Sequence, residues 1–167
     1  VQMVETMLLV TFNFETLIAT KASRLIRAAQ GRAIVEFGSR RAQGYDGAML
    51  GARAAYIAGC AGTACTISDR MMGVPASGTM AHSWVQAFEN EYEAFKAYAE
   101  TYPDNCCLLV DTYNVLKSGV PNAIRVFNEV VLPKGFRPKS IRLDSGDLAY
   151  LSKKARKMLD DAGFPDA

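Results

Sequence analysis

Charged side chains, and the one histidine of the sequence, recur where short apolar runs end. Paired arginines favour an anionic ligand, because a guanidinium binds phosphate or carboxylate through two hydrogen bonds. Nearby carboxylates could hold Mg²⁺ bridged to phosphates or bind ribose hydroxyls, and an Asp with a His could perform phosphoryl or acid–base chemistry. A phosphorylated substrate that carries a sugar would suit the arginines, the carboxylates and the Asp–His pair alike. The residues are Glu36, Arg40, Arg41, His82, Asp111, Arg142, Asp144 and Asp147.

Each of these residues also has a plain structural interpretation. An Asp at a strand end commonly caps the next helix, and an Arg commonly pairs with a nearby carboxylate. These interpretations stay open for Asp147 and Arg41, which are also candidates for substrate binding. Several strand ends that all carry charged or histidine side chains are better explained by one shared site.

Two alternating kinds of segment position these residues. Short apolar runs bounded by Gly or polar residues predict strands, and longer amphipathic segments predict helices. Strands that alternate with helices form parallel sheets, whose strand carboxyl ends share one face. The sequence therefore predicts an α/β fold, with 1–167 forming a single partial domain. The predicted strands are 33–37, 64–67, 76–81, 106–110 and 140–143, and the predicted helices are 3–30, 46–58, 69–72, 83–102, 122–131 and 147–162.

Composition and motifs argue against several classes of protein. Nineteen Lys and Arg against seventeen Asp and Glu leave a net charge of +2 without a basic run, so nucleic acid is not an expected partner. The uncharged stretch 6–14 is too short to span a bilayer, and no secretory signal opens the chain. A cytoplasmic location without membrane contact is therefore expected. The glycines form no dinucleotide-binding or P-loop motif, and a single His82 excludes a two-histidine metal site.

Four motifs in a fixed order carry a family resemblance. They are EFGSRRAQG at 36–44, followed by Asp46-Gly47, then SGTMAHSW at 77–84, VDTY at 110–113 and RLDSGDL at 142–148. Together they resemble the nicotinate phosphoribosyltransferases along essentially the whole sequence. The resemblance implies transfer of phosphoribosyl from phosphoribosyl pyrophosphate to nicotinate, giving nicotinate mononucleotide and pyrophosphate, coupled to ATP hydrolysis. It also implies a partial, irregular βα barrel of the type II phosphoribosyltransferases.

The resemblance assigns substrate contacts to individual residues. Phe37 resembles the aromatic side chain that stacks on the pyridine ring, and Arg40 resembles a ligand of phosphate or pyrophosphate. Arg142 resembles the arginine that contacts the pyridine substrate. Ala64 stands where related nicotinamide-specific enzymes carry an aspartate that binds the carboxamide, and this makes nicotinate the expected substrate.

The resemblance also assigns the catalytic residues. His82 resembles the histidine that ATP phosphorylates, and Asp111 resembles the acid that orients it, because a carboxylate fixes the ring tautomer. Asp144 resembles the acid near the ribose and the metal. No firm protein metal site is expected, and Mg²⁺ is expected to arrive bound to the substrate, with Asp144 as its candidate protein ligand.

Parts of the enzyme beyond this sequence are implied as well. An N-terminal domain is expected before residue 1, barrel strands that hold the 5′-phosphate are expected after residue 167, and the complete enzyme is expected to be a homodimer. Three alternatives stay open. They are a catalytically silent fragment or interaction module, a nicotinamide-specific relative, and a barrel glycoside hydrolase that uses Glu36 and Asp144 as its carboxylate pair.

Overall fold

The computed structural model describes residues 1–167, which divide into two compact units, Val1–Gly78 and Thr79–Ala167. Each unit combines helices with a two-stranded parallel sheet, so the predicted α/β class is confirmed. The first unit contains α1 (Gln2–Ala28), β1 (Val35–Glu36), α2 (Tyr45–Ile57), β2 (Gly62–Thr63) and α3 (Thr66–Met72). The second contains α4 (His82–Gln86), α5 (Glu91–Thr101), β3 (Cys107–Leu109), α6 (Val120–Val126), β4 (Ser140–Arg142) and α7 (Leu148–Asp161).

The core of the first unit lies between α1 and α2. Ala22 of α1, Ala55 of α2 and the following Cys60 are buried together, and half-buried Ile18 and Ile26 pack against them. Small residues on α2 bring the two helices close, because larger side chains there would hold their axes apart. This packing fixes α2 beside the short sheet that carries the first group of candidate site residues.

The sheet of the first unit is short and depends on one glycine. Val35 pairs with Gly62, and Glu36 pairs with Thr63. Thr63 also forms a single bridge to Ala76, and the rest of the predicted strand at 76–81 does not form. A Cβ atom at Gly62 would lie 2.4 Å from the carbonyl oxygen of residue 75. Only glycine therefore lets β2 approach the neighbouring segment this closely.

The predicted strand at 64–67 is wrong, because β2 ends at Thr63 and α3 begins at Thr66. The N–H of Cys65 donates a hydrogen bond of 3.0 Å to the Thr63 hydroxyl, which turns the chain out of the strand. The apolar run therefore forms a turn and the start of a helix. Its apolar character alone could not distinguish these two outcomes.

Helix α1 carries many exposed apolar side chains. By length and composition alone it could cross a membrane, and its most apolar part is not buried in the structure. The uncharged stretch 6–14 is thus only part of a longer apolar helix. Core helices of other proteins and signal sequences share this length and composition, which therefore do not by themselves define a membrane protein. The exposed residues include Met3, Met7, Leu8, Leu9, Val10, Phe12 and Leu17.

The second unit is built on β3 and β4, which confirm the strands predicted at 106–110 and 140–143. They pair in parallel, with Cys107 opposite Ser140 and Leu109 opposite Arg142. Helices cover this sheet, and the resulting core is larger than that of the first unit. Its fully buried side chains include Phe95, Leu108, Leu109, Val110, Val126, Phe127, Val131 and Leu159.

The single helix predicted at 83–102 is instead two helices, α4 and α5. Asn90 separates them, because its side chain accepts a hydrogen bond of 3.0 Å from the N–H of Glu93 and caps α5. The break leaves Trp84 of α4 only partly covered. The residue is 40% exposed, and its indole N–H donates to the carbonyl of Ala94 over 3.3 Å.

The helix predicted at 122–131 begins earlier, at Val115, and continues to Val131 through π-helical turns on both sides of α6. Asn114 caps its start by accepting a hydrogen bond of 2.9 Å from the N–H of Lys117. Pro121 lies in the first turn of α6, where its missing N–H costs least. The first π-helical turn, Val115–Gly119, passes directly over the end of β3.

Candidate active site

The register of β3 and β4 brings two aspartates to the same edge of the sheet. Leu109 lies opposite Arg142, and the N–H of Val110 extends the pairing by donating to the Arg142 carbonyl over 3.1 Å. Asp111 and Asp144 each follow two residues after the paired positions. The carboxyl ends of parallel strands meet at one edge, which explains why these two residues become neighbours.

Asp111 makes three hydrogen bonds through a side chain that is 1% exposed. Its Oδ1 atom lies 3.1 Å from Nε2 of His82, which begins α4. Its Oδ2 atom accepts hydrogen bonds from the N–H of Asp144 at 3.0 Å and from the hydroxyl of Ser145 at 2.5 Å. A single buried carboxylate therefore links α4 to the loop that follows β4.

These contacts keep the carboxylate of Asp111 ionised. Burial raises its pKa, but the hydrogen bonds from the Ser145 hydroxyl, the Asp144 N–H and His82 together outweigh burial, and the pKa is lowered from its usual 3.8. An ionised carboxylate only accepts hydrogen bonds, so Nε2 of His82 carries the proton. The other ring nitrogen, Nδ1, then holds a lone pair. The side chain of His82 is 39% exposed, so reactants can reach the ring.

Arg142 lies beside this pair and is held by two neighbours. Its Nη1 donates to the Thr79 hydroxyl over 2.6 Å, and its Nη2 donates to Oδ1 of Asp144 over 2.9 Å. The structure thus brings together the four predicted residues of the second unit, which are His82, Asp111, Arg142 and Asp144. One cation, two carboxylates and an imidazole share the edge.

Two hydroxyl residues of this cluster escaped the sequence analysis. Thr79 and Ser145 were not singled out, although they stand in the motifs 77–84 and 142–148 beside His82 and Asp144. Their position within those motifs was the available signal. Each hydroxyl binds one of the charged groups and limits its freedom.

Asp147 caps helix α7. Its Oδ1 accepts a hydrogen bond of 3.0 Å from the N–H of Tyr150, and the side chain is exposed. This is the structural interpretation that the sequence left open. Substrate binding by Asp147 stays a prediction.

In the first unit, Glu36 orders the loop that carries Phe37, Arg40 and Arg41. Its Oε2 accepts a hydrogen bond of 2.6 Å from the Thr63 hydroxyl, and its Oε1 accepts one from the N–H of Gly38. Both carboxylate oxygens are thus engaged in holding the loop. Phe37, Arg40 and Arg41 are exposed.

Ala64 lies directly after β2 and is exposed. Its N–H donates a hydrogen bond of 2.9 Å to the carbonyl oxygen of Glu36, which fixes its backbone against β1.

No group of three or more His, Cys, Asp or Glu side chains in the structure could hold a metal ion.

We expect Asp111→Asn to lower the free energy of unfolding by about 1–3 kcal/mol at pH 7, because it weakens buried hydrogen bonds. The lowered pKa means that ionised Asp111 stabilises the fold above pH 3.8, and that this contribution is lost as pH falls through the folded pKa. The difference between the two proteins should therefore shrink below about pH 3.8. Denaturant unfolding across a pH series measures it, and a constant difference down to pH 2 would contradict this assignment.

Comparison with known proteins gives a consistent set of relatives. No family model matches the chain. Over 99% of its length it is 55% identical to nicotinate phosphoribosyltransferase of Bacillus subtilis, of which it covers 33%. It is 48% identical over 98% of its length to a nicotinate phosphoribosyltransferase of Mycobacterium tuberculosis, of which it covers 34%. The chain therefore spans about a third of the length of the curated relatives it matches.

A solved structure agrees with these sequences. The crystal structure of human nicotinic acid phosphoribosyltransferase superimposes with a TM-score of 0.81 at 29% identity, over 90% of this chain and 39% of that one. The similarity extends through both units, since 90% coverage exceeds the length of either. Fold and sequence therefore point to the same group of proteins.

Proposed function

We propose that this chain, which matches the nicotinate phosphoribosyltransferases over nearly its whole length, forms part of such an enzyme. The enzyme transfers phosphoribosyl from phosphoribosyl pyrophosphate to nicotinate, gives nicotinate mononucleotide and pyrophosphate, and couples this to ATP hydrolysis in cytoplasmic NAD salvage. The observation that carries the proposal is the cluster in which Asp111 joins His82 to the loop after β4.

His82 acts as the phosphoryl acceptor in this proposal. Its Nδ1 lone pair would attack the γ-phosphorus of ATP, the new N–P bond would form, and the bond to the bridging oxygen of ADP would break. Asp111 supports the step because it holds the Nε2 proton and stabilises the positive ring. The exposed ring and buried carboxylate fit this division of roles.

Transfer of the ribosyl group needs no strong base, because the pyridine nitrogen of nicotinate already carries a lone pair. The substitution at the anomeric carbon passes through an oxocarbenium-like transition state, so positioning and stabilisation of departing pyrophosphate dominate. We assign Arg142 to the nicotinate carboxylate, Phe37 to stacking on the pyridine ring, and Arg40 and Arg41 to the phosphates. Asp147 is a further substrate-binding candidate.

Asp144 stands near the ribose and metal in this proposal. Its Oδ1 is paired with Arg142, and it is exposed, so it offers one carboxylate oxygen to an incoming ligand. One carboxylate fits the way Mg²⁺ is usually bound with phosphate substrates, through one or two protein oxygens and several waters. Magnesium bound to the substrate would neutralise charge on the departing pyrophosphate.

The larger architecture belongs to the proposal as well. We propose that residues 1–167 contribute to one irregular βα barrel, which is completed by chain outside this sequence, and that the enzyme works as a homodimer. The 5′-phosphate of the substrate would be held by that additional chain. Activity experiments accordingly use the full-length enzyme that carries this sequence.

The glycoside hydrolase alternative is disfavoured by Glu36. Both of its carboxylate oxygens hold neighbouring groups, Gly38 and Thr63, which leaves it poorly suited to protonate a leaving group or activate water. A nicotinamide-specific relative is disfavoured by Ala64, which carries no carboxylate for a carboxamide. Neither alternative accounts for the contact between His82 and Asp111.

The function is tested by an assay of the full-length enzyme with nicotinate and phosphoribosyl pyrophosphate, with and without ATP. We expect nicotinate mononucleotide and pyrophosphate to form in equal amounts, and ADP to be released when ATP is present. A matched reaction with nicotinamide should be much slower. Absence of product in all of these reactions would favour the silent-module alternative.

A further inference from the structure

Glu91, the first residue of α5, is a buried carboxylate that takes no part in the proposed reaction. It is 3% exposed, its Oε2 accepts hydrogen bonds from the Ser118 hydroxyl and from Nδ2 of Asn122 at 3.3 Å, and its Oε1 has no partner. Neither partner carries a positive charge. Burial of a carboxylate with incomplete hydrogen bonding is costly, so stability alone does not explain this residue.

The two partners of Glu91 flank a glycine that touches the active-site strand. Ser118 and Asn122 lie on either side of Gly119, in the segment where the π-helical turn passes into α6. A Cβ atom at Gly119 would lie 1.9 Å from the carbonyl oxygen of Val110. The backbone of the turn therefore lies directly against the residue that follows β3, and Glu91 binds the residues on both sides of Gly119.

Val110 is the residue before Asp111, so the position of the turn determines where Asp111 can lie. We propose that Glu91 is a positioning residue, which holds the Gly119 turn against Val110 and thereby keeps Asp111 in hydrogen-bond reach of His82. The proposal rests on the proposed role of His82 and Asp111. It deepens that role by adding a residue from α5 that contacts neither side chain directly. A displacement of the turn would lengthen the contact of 3.1 Å on which the proton at Nε2 depends.

The test uses the full-length enzyme labelled with ¹⁵N-histidine, in which the imidazole signals that disappear in His82→Gln are assigned to His82. Glu91→Leu replaces the buried carboxylate with an apolar group of similar volume, which removes both hydrogen bonds to the turn together with the unpartnered Oε1. In the folded variant we expect the chemical shifts of the two ring nitrogens to lose the pattern of one fixed Nε2–H tautomer and to move towards those of the tautomer mixture of free imidazole. Glu91→Gln is the matched control, since its amide oxygen still accepts from Ser118, and it should keep the wild-type pattern.

Two further variants keep the test decisive. Ser118→Ala removes one hydrogen bond of the cluster without changing the carboxylate, and it should shift the ring nitrogens in the same direction as Glu91→Leu. Gly119→Ala should shift them most, because its Cβ meets the Val110 carbonyl. A wild-type histidine spectrum in folded Glu91→Leu, or in Ser118→Ala if Glu91→Leu does not fold, overturns the proposal. The histidine spectrum needs no turnover and reports only on the positioning role of Glu91. The activity assay reports on the proposed function, so failure of one proposal can be distinguished from failure of the other.

Discussion

In the full-length enzyme, His82→Ala should take up no phosphate from ATP above background, while a slower, ATP-independent transfer of phosphoribosyl remains. The phosphoryl acceptor is lost because His82 is the imidazole that Asp111 holds through Nε2, which leaves Nδ1 with its lone pair. Transfer persists because the nucleophile belongs to nicotinate. The KM for phosphoribosyl pyrophosphate should rise roughly tenfold or more, the effect of losing one charge-assisted interaction with the donor.

The measurement is incubation with γ-labelled ATP followed by quantification of acid-labile, base-stable phosphate on the protein. Ser83→Ala, an exposed change at the next residue of α4, is the matched control and should label like the wild type. Asp111→Asn should label slowly, because the ring loses the carboxylate that fixes Nε2–H. Full labelling of His82→Ala would show that His82 is not the acceptor.

The order of elements could be predicted because the chain marks their ends clearly. Helix α7 starts after Asp147, which accepts from the N–H of Tyr150, and the helix closes before Gly163, whose φ is +86°. Such signals act over three or four residues and are visible in sequence. The break at Asn90 was missed because the apolar spacing on both sides continues a helical pattern, while the capping bond depends on backbone geometry.

The candidate site could be predicted only in part, for a similar physical reason. Asp111 and Asp144 follow β3 and β4, and parallel pairing brings such positions together. His82 begins helix α4 instead, so strand pairing does not explain its place beside Asp111. Glu91 gave no signal, because a glutamate in an amphipathic helix is usually exposed. Its partners lie 27 and 31 residues further along the chain, and only folding brings them to it. Residues that act through others therefore need the structure to be found.

In the full-length enzyme, Ala64→Asp should lower kcat/KM for nicotinate relative to nicotinamide by at least about tenfold, a difference of ~1.4 kcal/mol. A carboxylate at residue 64 would repel the carboxylate of nicotinate and accept hydrogen bonds from the carboxamide of nicotinamide. The fold should tolerate the change, because the side chain is exposed and the backbone bond from residue 64 to Glu36 does not involve it. The measurement is the ratio of the two specificity constants in wild type and variant.

Charge and size at this position are separated by Ala64→Asn, which fills nearly the same space as aspartate without its charge. If repulsion causes the discrimination, asparagine should change the ratio of the two specificity constants much less than aspartate does. Added salt should then reduce the effect of aspartate only weakly, because a bound substrate that excludes water around residue 64 also excludes screening ions. Equal changes in both variants would assign the effect to crowding instead. An unchanged ratio in Ala64→Asp would remove residue 64 from the recognition site, and the preference for an acid or an amide would then depend on other residues of the enzyme.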